Sequence, residues 1–303
     1  MAEPQAYLNG QFLPQSEARL TLNDAGFVFG ATVTDLCRTF GHKPFRLAEH
    51  LARFRQSCGR ACVPQPVPDE ILGQVAGDLM ARNAVFLRPE QDLALVLLAT
   101  PGQIGYYLGQ PGGPGDGPPT LGMHSFPIPF QRYAPFFERG ARLVVAPTRA
   151  VAADCVDPRI KQRSRLHWWL AEQQARVVDP GASALLLDRE GHVTETAAAN
   201  LLIVREGTVL TPPRDAVLNG ISLLTVEELC AELKIPFRTQ PLTVADCLAA
   251  QEAMLSSTTF CLAGVSRFNG QPLPWPGPVY ERLLGRWSQK VGLDIRRQIF
   301  PRP

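Results

Sequence analysis

The sequence predicts an α+β protein in two domains, a smaller N-terminal one and a larger C-terminal one. The chain has 303 residues, 45% of them apolar, which is enough to form two modest cores. Its first part is patterned as hairpins, two helices and buried strands, whereas its second part alternates strands and helices in a different order. An irregular link at residues 129–138 separates the two patterns. We therefore expect domains at 1–132 and 133–303.

Turn residues and apolar spacing predict the N-terminal elements. Asn9-Gly10 predicts a hairpin over residues 6–12, because this pair tolerates the positive φ of a tight turn. Residues 31–47 predict a second hairpin that turns at 41–44. The remaining predictions are helices at 47–62 and 68–83, strands at 92–100 and 120–128, and a flexible Gly/Pro-rich loop without a nucleotide-binding motif at 101–119.

The second part is interpreted from the same periodicities. A helix over 161–178 is predicted to present Leu166, Trp169, Leu170 and Ala175 as its apolar positions. Further helices are predicted at 222–233 and 278–291, and strands at 142–146, 184–188, 193–204, 208–210 and 254–257.

Composition excludes several classes of protein. Thirty Lys and Arg against 28 Asp and Glu give a net charge of +2, which implies no field that would attract nucleic acid. The longest apolar run, Leu93–Ala99, is far shorter than the ~20 residues of a membrane helix. The first residues lack the basic-then-apolar pattern of a signal peptide. We expect a cytoplasmic protein without a membrane partner.

The seven cysteines form no recognisable ligand or disulfide pattern, because their number is odd and no C-x-x-C occurs. Cys58 and Cys62 are spaced to share a helix face, but no second pair or neighbouring histidine accompanies them. We interpret both as reduced core thiols, and we expect no metal site.

Lysine is rare in this chain, and one lysine has an unusual setting. The four lysines are Lys43, Lys161, Lys234 and Lys290. Lys161 alone is placed among apolar positions, at the predicted start of a helix. Partial burial lowers the pKa of an amine and allows it to attack a carbonyl. Taken alone, the segment favours a lysine that extends from a helix end into solvent.

Three other segments carry candidate chemistry. Glu195 lies in a small, apolar stretch, where a buried carboxylate needs a cation or a proton donor, although it also fits the exposed side of a strand. Gly220-Ile221-Ser222 opens a predicted helix and offers free N–H groups and a hydroxyl to a phosphate, although a plain Ser N-cap explains it too. Ser256–Thr259 clusters hydroxyls at the end of a strand.

In this order and spacing, these motifs resemble the fold-type IV pyridoxal-phosphate enzymes, which comprise branched-chain aminotransferases, D-amino-acid aminotransferases and aminodeoxychorismate lyase. The resemblance extends from the Tyr7-Leu8-Asn9-Gly10 hairpin to Asn269-Gly270 and includes Gly30-x-x-Val-x-Asp35 and Glu49–Phe54. It implies a pseudo-barrel C-terminal domain that carries the lysine, and pyridoxal 5′-phosphate as cofactor. It also implies a homodimer whose active site lies between the domains and is completed by the neighbouring subunit.

The resemblance also implies roles for single residues. Lys161 matches the Schiff-base lysine that carries a proton between the substrate α-carbon and C4′ of the cofactor. Glu195, in Val-Thr-Glu-x4-Asn, matches the carboxylate that keeps the pyridine nitrogen protonated, so that the ring accepts electrons. Arg53, Gly220, Ile221, Ser222 and Thr258 match cofactor phosphate contacts, Leu218 matches the residue packed on the ring, and Thr34, Thr196 and Thr259 are candidate substrate contacts.

The residues that differ from the family motifs lie at positions where relatives contact the substrate. Thr34 stands where relatives have an aromatic residue, and Leu166 stands where branched-chain enzymes have a tyrosine. Ala99-Thr100-Pro101-Gly102 replaces the Thr-Arg-Gly that clamps the substrate carboxylate in D-amino-acid aminotransferases. Two motifs resemble the lyase branch more than the aminotransferase branches: Lys-x-x-Ser-Arg-Leu at 161–166 and Glu-x-x-Ala-Ala-Asn at 195–200.

We expect an aminotransferase that moves an amino group between an amino acid and a 2-keto acid. Two alternatives stay open: a lyase that eliminates pyruvate from aminodeoxychorismate at the same cofactor site, and a protein that binds the cofactor without turnover. Dependence on a keto acid distinguishes the first two, because a lyase needs no amino acceptor.

Overall fold

The computed structural model describes residues 3–65 and 67–300, which divide into two compact units. The first unit contains the chain up to Ile128 together with Ile160–Ser164. The second contains Pro129–Arg159 and the chain from Arg165 onward. The sequence places Lys161 in the C-terminal domain. The structure groups its segment with the first unit, because the backbone at Lys161 pairs with residues 32–34 of that unit.

The first unit is a six-stranded antiparallel sheet with two long helices packed against it. The strand order is β2-β1-β6-β5-β3-β4. Its strands are β1 (Gln5–Leu8), β2 (Gln11–Pro14), β3 (Val33–Phe40), β4 (Lys43–Pro44), β5 (Leu93–Thr100) and β6 (Thr120–Pro127), and its helices are α1 (Ala25–Val28), α2 (Leu47–Arg60) and α3 (Asp69–Ala84).

Both predicted hairpins of this unit are confirmed. β1 and β2 turn at Asn9 and Gly10, whose φ angles of +48° and +94° lie in the region that this pair tolerates. β3 and β4 turn at Gly41 and His42, with φ of +54° and +65°. The stretch 101–119 contains no strand or α-helix, only a short 3₁₀ turn at Gly105–Leu108.

One apolar cluster fills the space between the sheet and helices α2 and α3. Phe54 of α2, Leu72 of α3 and Leu95 of β5 are fully buried within it. Burying each such side chain contributes about 1.5–3 kcal/mol to folding. Cys58 belongs to this core, and burial raises the pKa of its thiol to about 12. Cys62 is exposed, so its assignment to the core is wrong: α2 ends at Arg60, before a shared face reaches it.

The second unit is built from nine strands and six helices within the described residues. The strands are β7 (Ala141–Val145), β8 (Ser183–Leu187), β9 (Val193–Thr196), β10 (Asn200–Arg205), β11 (Thr208–Thr211), β12 (Phe237–Thr239), β13 (Glu252–Ser257), β14 (Cys261–Phe268) and β15 (Gln271–Pro272). The helices are α4 (Ala134–Glu138), α5 (Leu166–Val178), α6 (Ile221–Glu232), α7 (Val244–Leu248), α8 (Pro278–Val291) and α9 (Ile295–Ile299).

Six of these strands form a closed ring. The order β10-β13-β14-β7-β8-β9 returns to β10, because β9 pairs with β10 where Glu195 faces Asn200. β11 and β12 extend the sheet from β10. The implied pseudo-barrel is therefore present, and Glu195 lies at its point of closure.

Two predicted element boundaries in this unit are wrong. The predicted strand 193–204 is two strands, because the chain reverses at a turn in which Thr196 Oγ1 accepts a hydrogen bond of 3.0 Å from Ala199 N. Part of the predicted irregular link is helix α4, with Pro135 in its first turn. Among the residues that the structure describes, no helix is both long and apolar enough to cross a membrane.

Helix α5 differs most from its prediction. It begins at Leu166, because Gln162 forms an isolated bridge with Val33 and the chain bends at Arg163 before the helix starts. Its buried residues are Ala171 and Ala175, whereas Leu166 is 71% exposed and Trp169 is 61% exposed. The apolar positions that were predicted to form one face therefore divide between a core side and an exposed side.

Candidate active site

Lys161 lies in an extended segment that pairs with the edge of β3. Thr34 N donates a hydrogen bond of 2.8 Å to Lys161 O, and Arg163 N donates one of 2.9 Å to Thr32 O. Ile160 packs against the apolar cluster of the first unit. These contacts fix the backbone on both sides of the lysine. Sequence periodicity does not predict the pairing of this segment with β3, because a bridge this short has no repeating pattern.

Helix α2 supplies a second anchor. Lys161 N donates to Ser57 Oγ over 3.2 Å, and Ser57 is fully buried. His50, Arg53 and Ser57 are spaced three and four residues apart, so they lie on one face of α2. The helix that anchors the lysine segment therefore also carries the predicted phosphate-binding arginine.

Arg53 is held by a fully buried carboxylate. Its Nε donates to Asp35 Oδ2 and its Nη2 to Asp35 Oδ1, both at 2.8 Å. His50 Nδ1 lies 2.7 Å from the same Oδ1. Burial raises the pKa of the Asp35 carboxyl, but the Arg53 guanidinium and His50 lower it further and hold it well below its usual range. Burial lowers the pKa of His50, so a neutral imidazole donates from Nδ1 to the carboxylate.

Replacement of Asp35 by Asn is expected to lower the free energy of unfolding by about 3–5 kcal/mol, because it leaves a buried guanidinium without its counter-charge. This loss should shrink as the pH falls below about 3.9. The native pKa of Asp35 is depressed, so its stabilisation is present above the unfolded-state pKa and disappears as the native carboxylate is protonated. Urea denaturation at several pH values measures both effects.

Asp69→Asn is the matched control, since Asp69 pairs with Arg55 where both side chains are more than one third exposed. That substitution is expected to cost below about 1 kcal/mol. Equal losses in the two variants would contradict a special role for the buried pair.

In the second unit, Glu195 is oriented by two donors. Asn200 Nδ2 donates to Glu195 Oε2 over 3.0 Å, and Leu218 N donates to Oε1 over 3.2 Å. Asn200 Nδ2 also donates to Leu218 O over 2.9 Å. The asparagine therefore ties together the carboxylate and the residue predicted to pack on the cofactor ring. The sequence pattern contains this asparagine, but only the pairing of β9 with β10 explains its role.

Helix α6 begins at the predicted phosphate contacts. Gly220 is its N-cap, and among the described residues no side chain caps the helix. The interpretation of Ser222 as the N-cap is therefore wrong: it is buried in the first turn, directly after Ile221. A Cβ at Gly220 would lie 2.1 Å from Asn200 Oδ1, so this position requires glycine. The first N–H groups of a helix and its positive dipole end suit a phosphate.

The hydroxyl cluster continues from β13. Ser256 is buried, pairs across the strands with Asn200, and its Oγ has no partner within the described residues. Ser257 Oγ donates to Ala198 O over 2.8 Å. Thr258 and Thr259 follow and are half-buried. A buried hydroxyl without a partner is uncommon and favours an additional group at this end of the strand.

The three candidate substrate residues differ in what their hydroxyls do. Thr34 is buried, and its Oγ1 donates to Leu97 O over 2.8 Å. The hydroxyl of Thr196 is engaged in the turn to Ala199, which leaves it poorly suited to a substrate. Thr259 is half-buried beside the hydroxyl cluster. Their contacts with substrate stay predictions.

Each unit by itself contains groups whose chemistry suits part of a phosphate-bearing aromatic aldehyde. The first unit provides an amine on a fixed backbone and a buried guanidinium, and the second provides an oriented carboxylate, a helix N-terminus and hydroxyls. Guanidinium and helix N–H groups bind phosphate, and a carboxylate stabilises a protonated ring nitrogen. Within the described ranges, no group of three or more His, Cys, Asp and Glu side chains is arranged to hold a metal.

Comparison with known proteins gives consistent matches. The model of the family described as amino-transferase class IV matches residues 32–268. A Methanocaldococcus jannaschii protein whose name proposes a branched-chain-amino-acid aminotransferase is 29% identical over 268 residues, which is 88% of each chain. The D-alanine aminotransferase of Staphylococcus aureus is 26% identical over 281 residues, covering 88% of this chain and 90% of the relative.

Solved structures share the architecture. The branched-chain aminotransferase of Thermoproteus uzoniensis with norvaline has a TM-score of 0.83 at 22% identity, covering 96% of this chain and 95% of its own. The branched-chain aminotransferase of Escherichia coli has a TM-score of 0.86 at 22% identity, with the same coverage. At this level of identity the likeness establishes the fold, and the predicted fold-type IV architecture is confirmed.

Proposed function

We infer that this chain, which belongs to the class IV aminotransferase family, transfers an amino group between an amino acid and a 2-keto acid, with Lys161 as its reacting amine. The observation that carries the role of Lys161 is its anchoring. Its backbone is held by β3 and by the same face of α2 that presents Arg53. Such anchoring is what an amine needs to meet a carbonyl repeatedly in one geometry.

Pyridoxal 5′-phosphate, when bound, supplies an aldehyde that takes up the amino group and a protonated ring that withdraws electrons from the reacting carbon. We propose that Arg53, Ser222, Thr258 and the first N–H groups of α6 bind its phosphate. Leu218 would pack on the ring, and Glu195 would hold the proton on the ring nitrogen. Asn200 positions Glu195, and Asp35 positions Arg53, through the hydrogen bonds described above.

Lys161 has a second task in this proposal. With the cofactor bound, the free Nζ would act as the base that takes the proton from the α-carbon of the amino donor and as the acid that returns it. One amine thus serves as attachment point and as proton carrier. The other three lysines have different settings: Lys43 and Lys234 are exposed, and Lys290 pairs with Glu232 in an exposed contact.

The reaction is tested by following the visible absorbance of cofactor-loaded protein with L- and D-amino acids. A donor is expected to bleach the absorbance, and a 2-keto acid should restore it. Restoration distinguishes a transaminase from a lyase, which would release pyruvate from aminodeoxychorismate without an acceptor. Absorbance that no amine alters would leave only a cofactor-binding role.

We also propose a homodimer, supported by the exposed face of α5. Leu166, Trp169, Leu170 and Val177 recur at helical spacing, and all four are 47% or more exposed. A contiguous apolar surface of this kind on a folded unit favours coverage by another protein surface. A second copy of the chain is the occupant that the family resemblance implies. The cytoplasmic location stays a prediction.

Trp169→Asp is expected to convert the dimer into a monomer, because a buried charge would replace an aromatic anchor. Sedimentation equilibrium measures the mass. Val178→Asp is the matched control, since Val178 is equally apolar and 70% exposed but lies off the stripe. A Trp169→Asp protein that stays dimeric would show that another surface holds the subunits.

A further inference from the structure

Arg163 and Lys161 flank Gln162, which forms an isolated antiparallel bridge with Val33, and the chain bends at Arg163. Lys161 and the residue directly opposite it in this pairing present their side chains to one face. Thr34 lies opposite Lys161 in the pairing with β3, so its side chain is on that face as well. Arg163 Nη2 lies 3.4 Å from Thr34 Oγ1. An amine, a guanidinium and a hydroxyl therefore share one face.

The contacts of this face orient the Thr34 hydroxyl and leave the Arg163 guanidinium able to bind an anion. Thr34 Oγ1 donates its hydrogen to Leu97 O, so it can accept from Arg163. Arg163 is exposed, and among residues 3–65 and 67–300 no carboxylate forms an ion pair with it. Arg53 and Arg159, in contrast, each bind an aspartate through two nitrogens.

His124, which lies within the influence of the Arg163 charge, adds no negative charge. His124 of β6 is half-buried, and burial together with the positive charge of Arg163 lowers the pKa of its imidazole. It is therefore neutral near pH 7, and the face that holds Lys161 keeps an uncompensated guanidinium. Carboxylates and phosphates both complement a guanidinium beside a hydroxyl. Because the cofactor phosphate is proposed to bind other residues, a carboxylate is the group left for Arg163.

We propose that Arg163, assisted by the Thr34 hydroxyl, binds a carboxylate of the amino-acid substrate. This inference rests on the proposed role of Lys161. The strand end at Thr100-Pro101-Gly102 offers no cation, and the Thr100 hydroxyl accepts a hydrogen bond from Gly102 N over 3.0 Å. A small residue at position 34 is part of the arrangement, because an aromatic ring there would occupy the space of the Arg163 guanidinium.

Two carboxylates present the same chemistry: the α-carboxylate of every amino acid and the side-chain carboxylate of an acidic one. Isothermal titration calorimetry with cofactor-loaded protein distinguishes them through two non-reacting probes, propionate with one carboxylate and glutarate with two. Loss of affinity for both probes in Arg163→Gln assigns the α-carboxylate. Loss for glutarate alone assigns the side-chain carboxylate.

Arg163→Gln is expected to weaken binding of the affected probe by about 10–100-fold, which is the usual effect of removing a charged hydrogen-bond partner. Arg163→Lys keeps the positive charge but lacks the paired N–H donors of a guanidinium, so its affinity for the probe should be intermediate. Arg88→Gln removes an exposed arginine of the same unit that pairs with Glu90, and it should bind both probes as the natural protein does. Unchanged binding of both probes by folded Arg163→Gln would overturn the proposal.

The bleaching rate with a simple alkylamine separates this inference from the proposed function. The amine lacks a carboxylate, so the loss of rate in Arg163→Gln should be much larger for donors that carry a carboxylate than for this amine. Natural protein that attaches no cofactor to Lys161 would reject the proposed function itself. Natural protein with cofactor on Lys161, and probe affinities that Arg163→Gln leaves unchanged, would reject only the assignment of Arg163.

Discussion

Lys161→Ala is expected to abolish transamination, with the rate of the donor half-reaction falling by at least about 10³-fold. The substitution removes both the amine that attaches the cofactor and the base that takes the α-proton. The fold should survive, because the backbone contacts of this position with Thr34 and Ser57 use main-chain atoms of residue 161. Rapid-mixing absorbance measurements with an amino donor give the rate.

Lys43→Ala is the control, since Lys43 is an exposed residue of the short strand β4. Its rate should equal that of the natural protein. Residual turnover in Lys161→Ala close to the natural rate would remove Lys161 from the reaction, and so would an equal loss in Lys43→Ala.

Glu195→Gln is expected to slow removal of the α-proton by about 10²–10³-fold, with a much smaller loss of cofactor affinity. A neutral amide cannot hold a proton on the ring nitrogen, so the ring withdraws electrons less strongly. The two donors to this side chain, Asn200 Nδ2 and Leu218 N, remain in place, and one amide oxygen can still accept. A donor deuterated at the α-carbon should show a larger isotope effect in the variant.

Glu190→Gln, at an exposed turn between β8 and β9, is the matched control and should leave the rate unchanged. An unaltered rate and isotope effect in Glu195→Gln would mean that another group sets the charge of the ring.

The sequence could nominate candidate residues for the site but could not predict their surroundings. Lys161 could be chosen because an amine in an apolar setting is unusual, and Glu195 because a carboxylate in a small apolar stretch needs a partner. Their surroundings depend on pairings between residues distant in the chain. Thr34 meets Lys161 through a bridge too short to leave a periodic pattern, and Asn200 meets Glu195 only where the barrel closes.

Helix α5 shows why an amphipathic pattern can mislead. Its leucines and Trp169 have the spacing of a core face, yet the core takes the small Ala171 and Ala175, because the sheet approaches closely there. The apolar residues then remain on the surface. Sequence alone does not distinguish a face buried in the fold from one buried in an assembly.

Strand β14 was missed for a different reason. Its sequence contains Gly264 and Ser266, which interrupt the apolar pattern expected of a buried strand. A Cβ at Gly264 would lie 2.4 Å from a ring atom of Trp275, so glycine is required by packing against that side chain. The packing that explains this residue is visible only in the folded chain.

Borohydride reduction of cofactor-loaded protein, followed by mass mapping of its peptides, tests the assignment of Lys161 most directly. Reduction makes the bond between an amine and the cofactor permanent, so the modified lysine is identified by mass. We expect the added mass on the peptide that contains Lys161. The same mass on Lys43, Lys234 or Lys290, or on no lysine, would contradict the assignment.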